Sequence, residues 1–529
     1  MAIDKKKKIL IIGLDGVDPD LLDKFISEGI LPNFKRLIAN GAYGKIKSSI
    51  PIITTVTWNS FITGKNPGKH GIFGFVNFKK GSYELKILNS ADRKADGIWG
   101  LLNRFGKTVG IFNLPSLYPA EKIDRFMVCG MLTPNKNSRF IYPHGLQEEF
   151  LREIKDYEID VGVVKAAYDS KDILLKNMYF LTDKRFEASA YLLNKYPCDL
   201  FVTIITETDR VQHYFLDDAV ALREYFKYLD KKTGELLAQA GDDATVFIVS
   251  DHGMGAFSKY IYINRFLMDG GFLKINKRST NYVKHSFTKK IIQVLSTFLM
   301  RMKFDVERLK KMLPQGLVNS LTYLYCYYGG IDWGKSSAYF CSGTGEGITI
   351  NTKKRFPAGI VEERDYEALR DNIIKGLLGI KDPDTGERVI EAAYKREELL
   401  NGDHTQEAPD IILRLRDGYA TNESVETEVV LGERPLQEML LAEHRLEGII
   451  IAYGKDIRQG VRIEGSSILD IAPTLLRIFG IPVPQDFDGK PLEEIFKPGV
   501  LSLSKTRPLG EAEALQKRIR ELKSSGRIK

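Results

Sequence analysis

The sequence predicts an α/β protein with a mostly parallel central sheet flanked by helices on both faces, plus a helical basic insertion or cap. Three observations carry this. Short apolar runs alternate with helical patterns, the order that builds parallel sheets. DLFVTIITE (199–207) and ATVFIVSD (244–251) are rich in Val, Ile and Phe without alternation, as strands buried on both faces are. Acids and histidines stand where these runs end, and open α/β sheets bind ligands beyond the carboxyl ends of their strands.

The elements follow in chain order. KILIIGLD (8–15) reads as the first strand. The basic run Lys5–Lys8 precedes it, but ILIIGL is too short for a signal segment and meets Asp15 rather than a cleavage site. PDLLDKFISEG (19–29) reads as a helix, with Pro19 in its first turn and Gly29 beyond its end. ITTVTWNSFITG (53–64) starts extended and turns helical from about Thr57 to Thr63. TVGIFNLP (108–115) and RFMVCGM (125–131) are strands. The loops after them, 113–119 and 130–134, read equally as pocket lining or as plain connections. EGIIIAYG (447–454) is a late strand. Residues 265–340 are basic, helical and amphipathic, which suggests an insertion or cap on a core made of 1–264 and 341–500. Residues 355–400 read as a smaller α+β piece, and 501–529 as a charged tail. GTGEG (343–347) lacks a following GK[ST] and reads as a hairpin loop.

Composition narrows the classes. A chain of 529 residues, 43% hydrophobic, is long and apolar enough for a large core and excludes disorder. The net charge of +8 is mild at this length, so no specific nucleic-acid binding is expected. Part of the excess lies in 274–311, which reads as a solvated helical face or as a peripheral contact with an anionic membrane. No run approaches the ~20 apolar residues a spanning helix needs. The four cysteines are far apart and form no CxxC, which fits reduced thiols and a cytoplasmic location. Nothing in the pattern fixes an oligomeric state.

The chemistry is carried by acids and histidines at four separate places. They are Asp15, the pair Asp209 and His213, the pair Asp251 and His252, and His444. Asp209 and His213 are four apart, so a helix puts both on one face. Asp251 and His252 follow a buried strand, where a turn lets adjacent residues face one site, and the glycines of GMG leave room for a ligand. Singly, each has a bland reading as a turn, cap or solvated face. Together, with three of only seven histidines beside acids, they supply ligands for two divalent cations. Mixed carboxylate and imidazole donors suit zinc, or manganese, better than calcium. Thr54 is the candidate nucleophile: a hydroxyl near a helix start meets backbone N–H groups that favour anions. A cation would activate it.

LIIGLDGVDP, TTVTWNSFITGKNPGKHGIFGF, DRVQHYF, SDHGMG, EHRLEGIIIAYG and SILDIAPTLLRIFGIPVPQDFDGKPL resemble the alkaline phosphatase superfamily in its type I phosphodiesterase / nucleotide pyrophosphatase branch. The likeness runs from residue 9 to about 496. It implies one cation on Asp209, His213 and His444, and another on Asp15, Asp251 and His252 with Thr54 bridging toward it. Counting back from Thr63–Gly64 gives Thr54, with Thr55 as the alternative. It implies a metal-dependent hydrolase of small phosphorylated substrates, phosphodiester or nucleotide-like, working through a phospho-threonine. One position departs. Nucleotide pyrophosphatases carry an asparagine after HGI where this chain has Phe75, and Asn77 is the nearest substitute for that substrate-binding donor. The departure leaves phosphomonoesterase, phosphonate hydrolase and phosphomutase chemistry open, and an inactive binding protein as the reading from another class. A sulfatase is disfavoured, since no cysteine has the C/S-x-P-x-R context.

Overall fold

The computed structural model describes residues 8–160, 171–276, 330–435 and 438–501. Most of the basic stretch 274–311 and nearly all of the tail 501–529 therefore lie outside the described residues.

A nine-stranded sheet runs through the larger lobe. Its order is Val461–Ser467, Ala42–Lys47, Glu447–Tyr453, Ala244–Val249, Lys8–Leu14, Leu200–Ile205, Val109–Leu114, Phe126–Cys129 and Ile141–Tyr142. Lys8–Leu14 lies at its centre, parallel to Leu200–Ile205 on one side and Ala244–Val249 on the other. The three are apolar throughout because both faces are covered: all residues but Lys8 are buried. Helices Lys171–Lys195 and Ala219–Ala240 pack on one another and bury Leu181, Leu192, Phe226 and Leu229 in the same core.

Glu447–Tyr453 breaks the parallel rule, pairing antiparallel with both neighbours. A strand that runs backwards presents its amino end where the others present their carboxyl ends. His444, just before it, therefore reaches the same edge as Asp15 and Asp251.

A smaller lobe has its own core of Ile348, Ile350, Ile373, Leu377, Ile390 and Ile411. It is built on an antiparallel sheet ordered Ala338–Cys341, Gly347–Ile350, Ile411–Leu415 and Ile390–Lys395, with the helix Glu363–Leu378 against it. The loop 343–347 is a hairpin connection. It docks on the larger lobe: a Cβ on Gly74 would stand 2.4 Å from the Gly343 carbonyl oxygen.

Two local expectations need correction. The helix begins at Thr54, not Thr57. β-Branched residues read as extended, but here their hydroxyls find fixed partners: Thr55 donates to the Gly74 carbonyl at 3.0 Å, and Thr57 pairs with Ser48 at 3.0 Å. The GMG after His252 opens the strand Gly253–Tyr262, and its glycines make room for protein rather than for a ligand. A Cβ on Gly253 would fall 2.2 Å from the Glu447 carbonyl oxygen, and one on Gly255 would meet the Arg445 guanidinium.

Candidate active site

Each candidate side chain sits where an element ends. Asp15 follows the central strand. Its neighbour Gly16 takes φ +70°, and there the chain passes so close to Asp209 that a Cβ would sit 2.9 Å from its Oδ1. The Gly16 amide donates to Asp251 Oδ1 at 3.2 Å, so one tight turn ties three candidate acids together. Asp209 and His213 lie on the helix Glu207–Phe215, and the His213 Nε2 to Asp209 Oδ1 distance is 3.3 Å. His444 Nε2 stands 3.5 Å from that same oxygen. His252 Nε2 is 3.4 Å from both Asp15 Oδ1 and Asp251 Oδ2. The imidazole of His252 stacks on that of His444 with centroids 3.8 Å apart.

All three histidines are set in the same way. His213 Nδ1 lies 2.7 Å from the Ala442 carbonyl, His252 Nδ1 3.0 Å from that of Gly253, and His444 Nδ1 2.9 Å from that of Ile52. A carbonyl only accepts, so each Nδ1 carries a hydrogen and each Nε2 faces the cluster, where the neutral form of the ring would offer its lone pair to a cation. The carboxylates complement this. Asp15 Oδ1, Asp209 Oδ1 and Asp251 Oδ2 are buried with no hydrogen-bond donor. Three orphan acceptors facing three imidazole lone pairs is a donor set that fits cations. The ligand atoms of Asp209, His213 and His444 lie within 4.8 Å of one another, as do those of Asp15, Asp209 and His252. Asp209 thus stands between the two groups.

Without a cation the cluster is strained electrostatically. Burial, with Asp251 and Asp209 nearby, holds Asp15 well above the usual carboxylate range, and burial lifts Asp251 to about 7. Burial would raise Asp209 too, but His213 and His444 hold it well below its ordinary value. Burial opposes the charging of His444, yet Asp209 carries it up to about 10, while burial and His444 together push His252 down.

The hydroxyl of Thr54 lies 3.4 Å from His252 Nε2 and is buried at the start of its helix. Thr55, committed to the Gly74 carbonyl, points elsewhere. Six candidate ligands and Thr54 therefore come together. Asn77 does not join them: its Oδ1 accepts from the Phe78 amide at 2.8 Å and its Nδ2 faces the Glu407 carbonyl at 3.5 Å.

Sequence reasoning misses the supporting contacts. Thr208 Oγ1 donates to the Asp15 carbonyl, and Gln212 Nε2 to that of Gly16 at 2.7 Å. Buried Arg185 pairs with buried Glu207 at the start of the Asp209 helix, at 3.2 Å. The neighbourhood of Asp209 in TETDRVQH is the one signal that points to Thr208 and Gln212; nothing in the sequence points to Arg185.

The sequence matches the model of the Type I phosphodiesterase / nucleotide pyrophosphatase family over residues 9–438. No curated protein matches it. Among solved structures, it resembles phosphonoacetate hydrolase from Sinorhizobium meliloti 1021 in complex with phosphonoformate, at TM-score 0.55 and 17% identity, over 88% of this chain and 94% of that one. It also resembles human ectonucleotide pyrophosphatase / phosphodiesterase 5, at TM-score 0.54 and 15% identity, over 93% and 100%. The murine counterpart in inactive form with AMP gives TM-score 0.53, 15% identity, and the same 93% and 100%. At these identities the structures speak to fold, and they share the large helix-flanked sheet. With a family match spanning most of its length, the chain belongs to the Type I phosphodiesterase / nucleotide pyrophosphatase family.

Proposed function

We propose that this phosphoesterase-family chain is a two-metal phosphodiester hydrolase whose nucleophile is Thr54. The observation that carries the reading is the convergence of three Nε2 lone pairs and three orphan carboxylate oxygens beside the Thr54 hydroxyl. Asp209, His213 and His444 would hold one cation, and Asp15, Asp251 and His252 the other, zinc or manganese by donor type. Bound cations supply Lewis-acid activation of the hydroxyl and neutralise phosphoryl charge. The chain does the rest. The first-turn amides of the helix Thr54–Thr63 face the anion. The Thr54 oxygen attacks phosphorus, the P–O bond to the alcohol breaks, and the alcohol leaves. Water then cleaves the phospho-threonine, restoring the hydroxyl and releasing the phosphoryl product.

A second reading is phosphonate or monoester hydrolysis. Phe75 and the engagement of Asn77 with Glu407 favour it, because they leave the cluster without the amide donor that the nucleotide-cleaving branch carries. Hydrolysis of a chromogenic phosphodiester beside the matching monoester and a phosphonate, with zinc or manganese and a chelator control, tests both. Chelator-sensitive excess on the diester supports the first reading, and excess on the others supports the second. Turnover that persists in chelator overturns the metal dependence.

A further inference from the structure

Asp15 presents one oxygen, Oδ1, to the cluster, and something must decide which of its two oxygens that is. The other, Oδ2, lies 3.3 Å from the indole Nε1 of Trp58. An indole N–H only donates, so it marks Oδ2 as the acceptor and leaves Oδ1 free, buried and 3.4 Å from His252 Nε2. The donor is also uncharged. A lysine or arginine at this place would fix the carboxylate too, but its charge would compete with a cation for Asp15. A neutral, rigid donor orients the ligand and leaves its charge available.

The ring is held there by the packing. Trp58 is fully buried and stands edge-on to Phe61, with centroids 5.2 Å apart. It crosses the central strand at Gly13, where a Cβ would fall 2.6 Å from the indole ring. Gly13 lies near the strand's carboxyl end, two residues before Asp15, and its missing side chain leaves room for the indole that reaches Asp15. Trp58 lies four residues after Thr54 on one helix, hence on the same helical face. The hydroxyl and the donor are carried by one helix.

We infer that Trp58 is a positioning residue that orients Asp15 for one of the two cation sites and ties that site to the helix carrying Thr54. This rests on reading Asp15 as a ligand. The test is titration of metal-free W58F with zinc against a chromophoric competitor, beside wild type. Phenylalanine keeps a ring at the site and removes only the N–H and the larger indole frame. Expected is a ~10–100-fold weaker affinity for one equivalent, with the other unchanged, as lost support of a ligand produces. Equal weakening of both equivalents, or of neither, overturns the inference; the first would mark Trp58 as packing alone. A wild type that binds no zinc sinks the metal-site reading itself and takes the inference with it. Tryptophan emission gives a second readout that needs no intact affinity. A zinc-dependent change present in wild type should vanish in W58F, since the Trp99 indole donates to Glu121 and the Trp333 indole stacks on Tyr83, neither of them a residue of the cluster. Persistence of that change in W58F counts against the assignment. Should W58F fold poorly, judged by far-UV circular dichroism, W58H offers a smaller ring with an N–H donor. Recovery at one equivalent relative to W58F then supports the inference, and recovery at both or neither overturns it.

Discussion

Removing divalent cations should lower the thermal stability of this protein, by an amount the site geometry bounds. Asp15 Oδ1, Asp209 Oδ1 and Asp251 Oδ2 are buried and undonated. Each such group costs roughly 1–3 kcal/mol, so an ion-free cluster forgoes about 3–9 kcal/mol that bound cations would restore. Linkage gives a similar scale, about 4 kcal/mol at a thousandfold excess over the dissociation constant. Unfolding entropy is about 2.1 cal/mol/K per residue, which for 529 residues means close to 1 °C per kcal/mol. The expected rise in midpoint on adding zinc to chelator-stripped protein is thus on the order of 3–9 °C. The pH adds a sign. Burial raises Asp251 from 3.8 to about 7 in the folded, ion-free protein, so folding takes up a proton between those values. That contribution is complete below the unfolded value and is lost as pH rises through about 7. The zinc-induced shift should therefore be larger at pH 8 than at pH 5. Scanning calorimetry of stripped protein, with and without zinc, reads both. A midpoint unchanged to within about 1 °C, or a shift that survives intact in D209N, would refute the reasoning, because Asp209 is assigned to one cation and its oxygen also lies within 4.8 Å of the ligand atoms of Asp15 and His252.

Other outcomes follow from single residues. T54A should abolish turnover while keeping both metal equivalents, and T54S should retain measurable activity; steady-state assays with metal analysis check this, and an active T54A removes Thr54 as nucleophile. H444A should empty one cation position and leave the other, read by bound metal per chain, so two full equivalents would contradict the assignment. R185M should destabilise by about 3–5 kcal/mol, because it strands the buried Glu207 carboxylate and the carbonyls of Glu158 and Ile159. Denaturant unfolding checks it, with R185M/E207L expected to recover part of the loss. Burial, reinforced by Glu443, raises Glu346 from 4.5 to about 8, so its contribution to stability is lost as pH rises through about 8. The melting curve of E346Q should accordingly fall less between pH 6 and pH 9 than that of wild type.

The site is easier to read from sequence than the scaffold around it, for physical reasons. Buried parallel strands announce themselves by composition, so Lys8–Leu14, Leu200–Ile205 and Ala244–Val249 are plain, and with them the edge that bears Asp15 and Asp251. Asp209 and His213 show through helical spacing. The reversed direction of Glu447–Tyr453 leaves no local trace, because an antiparallel strand inside a sheet is as apolar as its neighbours. The helix start at Thr54 is hidden by threonines whose partners, Ser48 and the Gly74 carbonyl, are set by tertiary contacts. The strand Gly253–Tyr262 is hidden by glycines that look like a turn and are instead places where Glu447 and Arg445 come close. Trp58 looks like any other core residue in the sequence; only coordinates show the Asp15 oxygen at its N–H.

The backward strand also orders events in time. The candidate nucleophile, five of the six candidate ligands and most of the sheet strands lie in about the first half of the chain, but His444 arrives with a strand that must fit between Ala42–Lys47 and Ala244–Val249. A nascent chain therefore cannot complete the trio of Asp209, His213 and His444 until the late strand takes its place in the sheet.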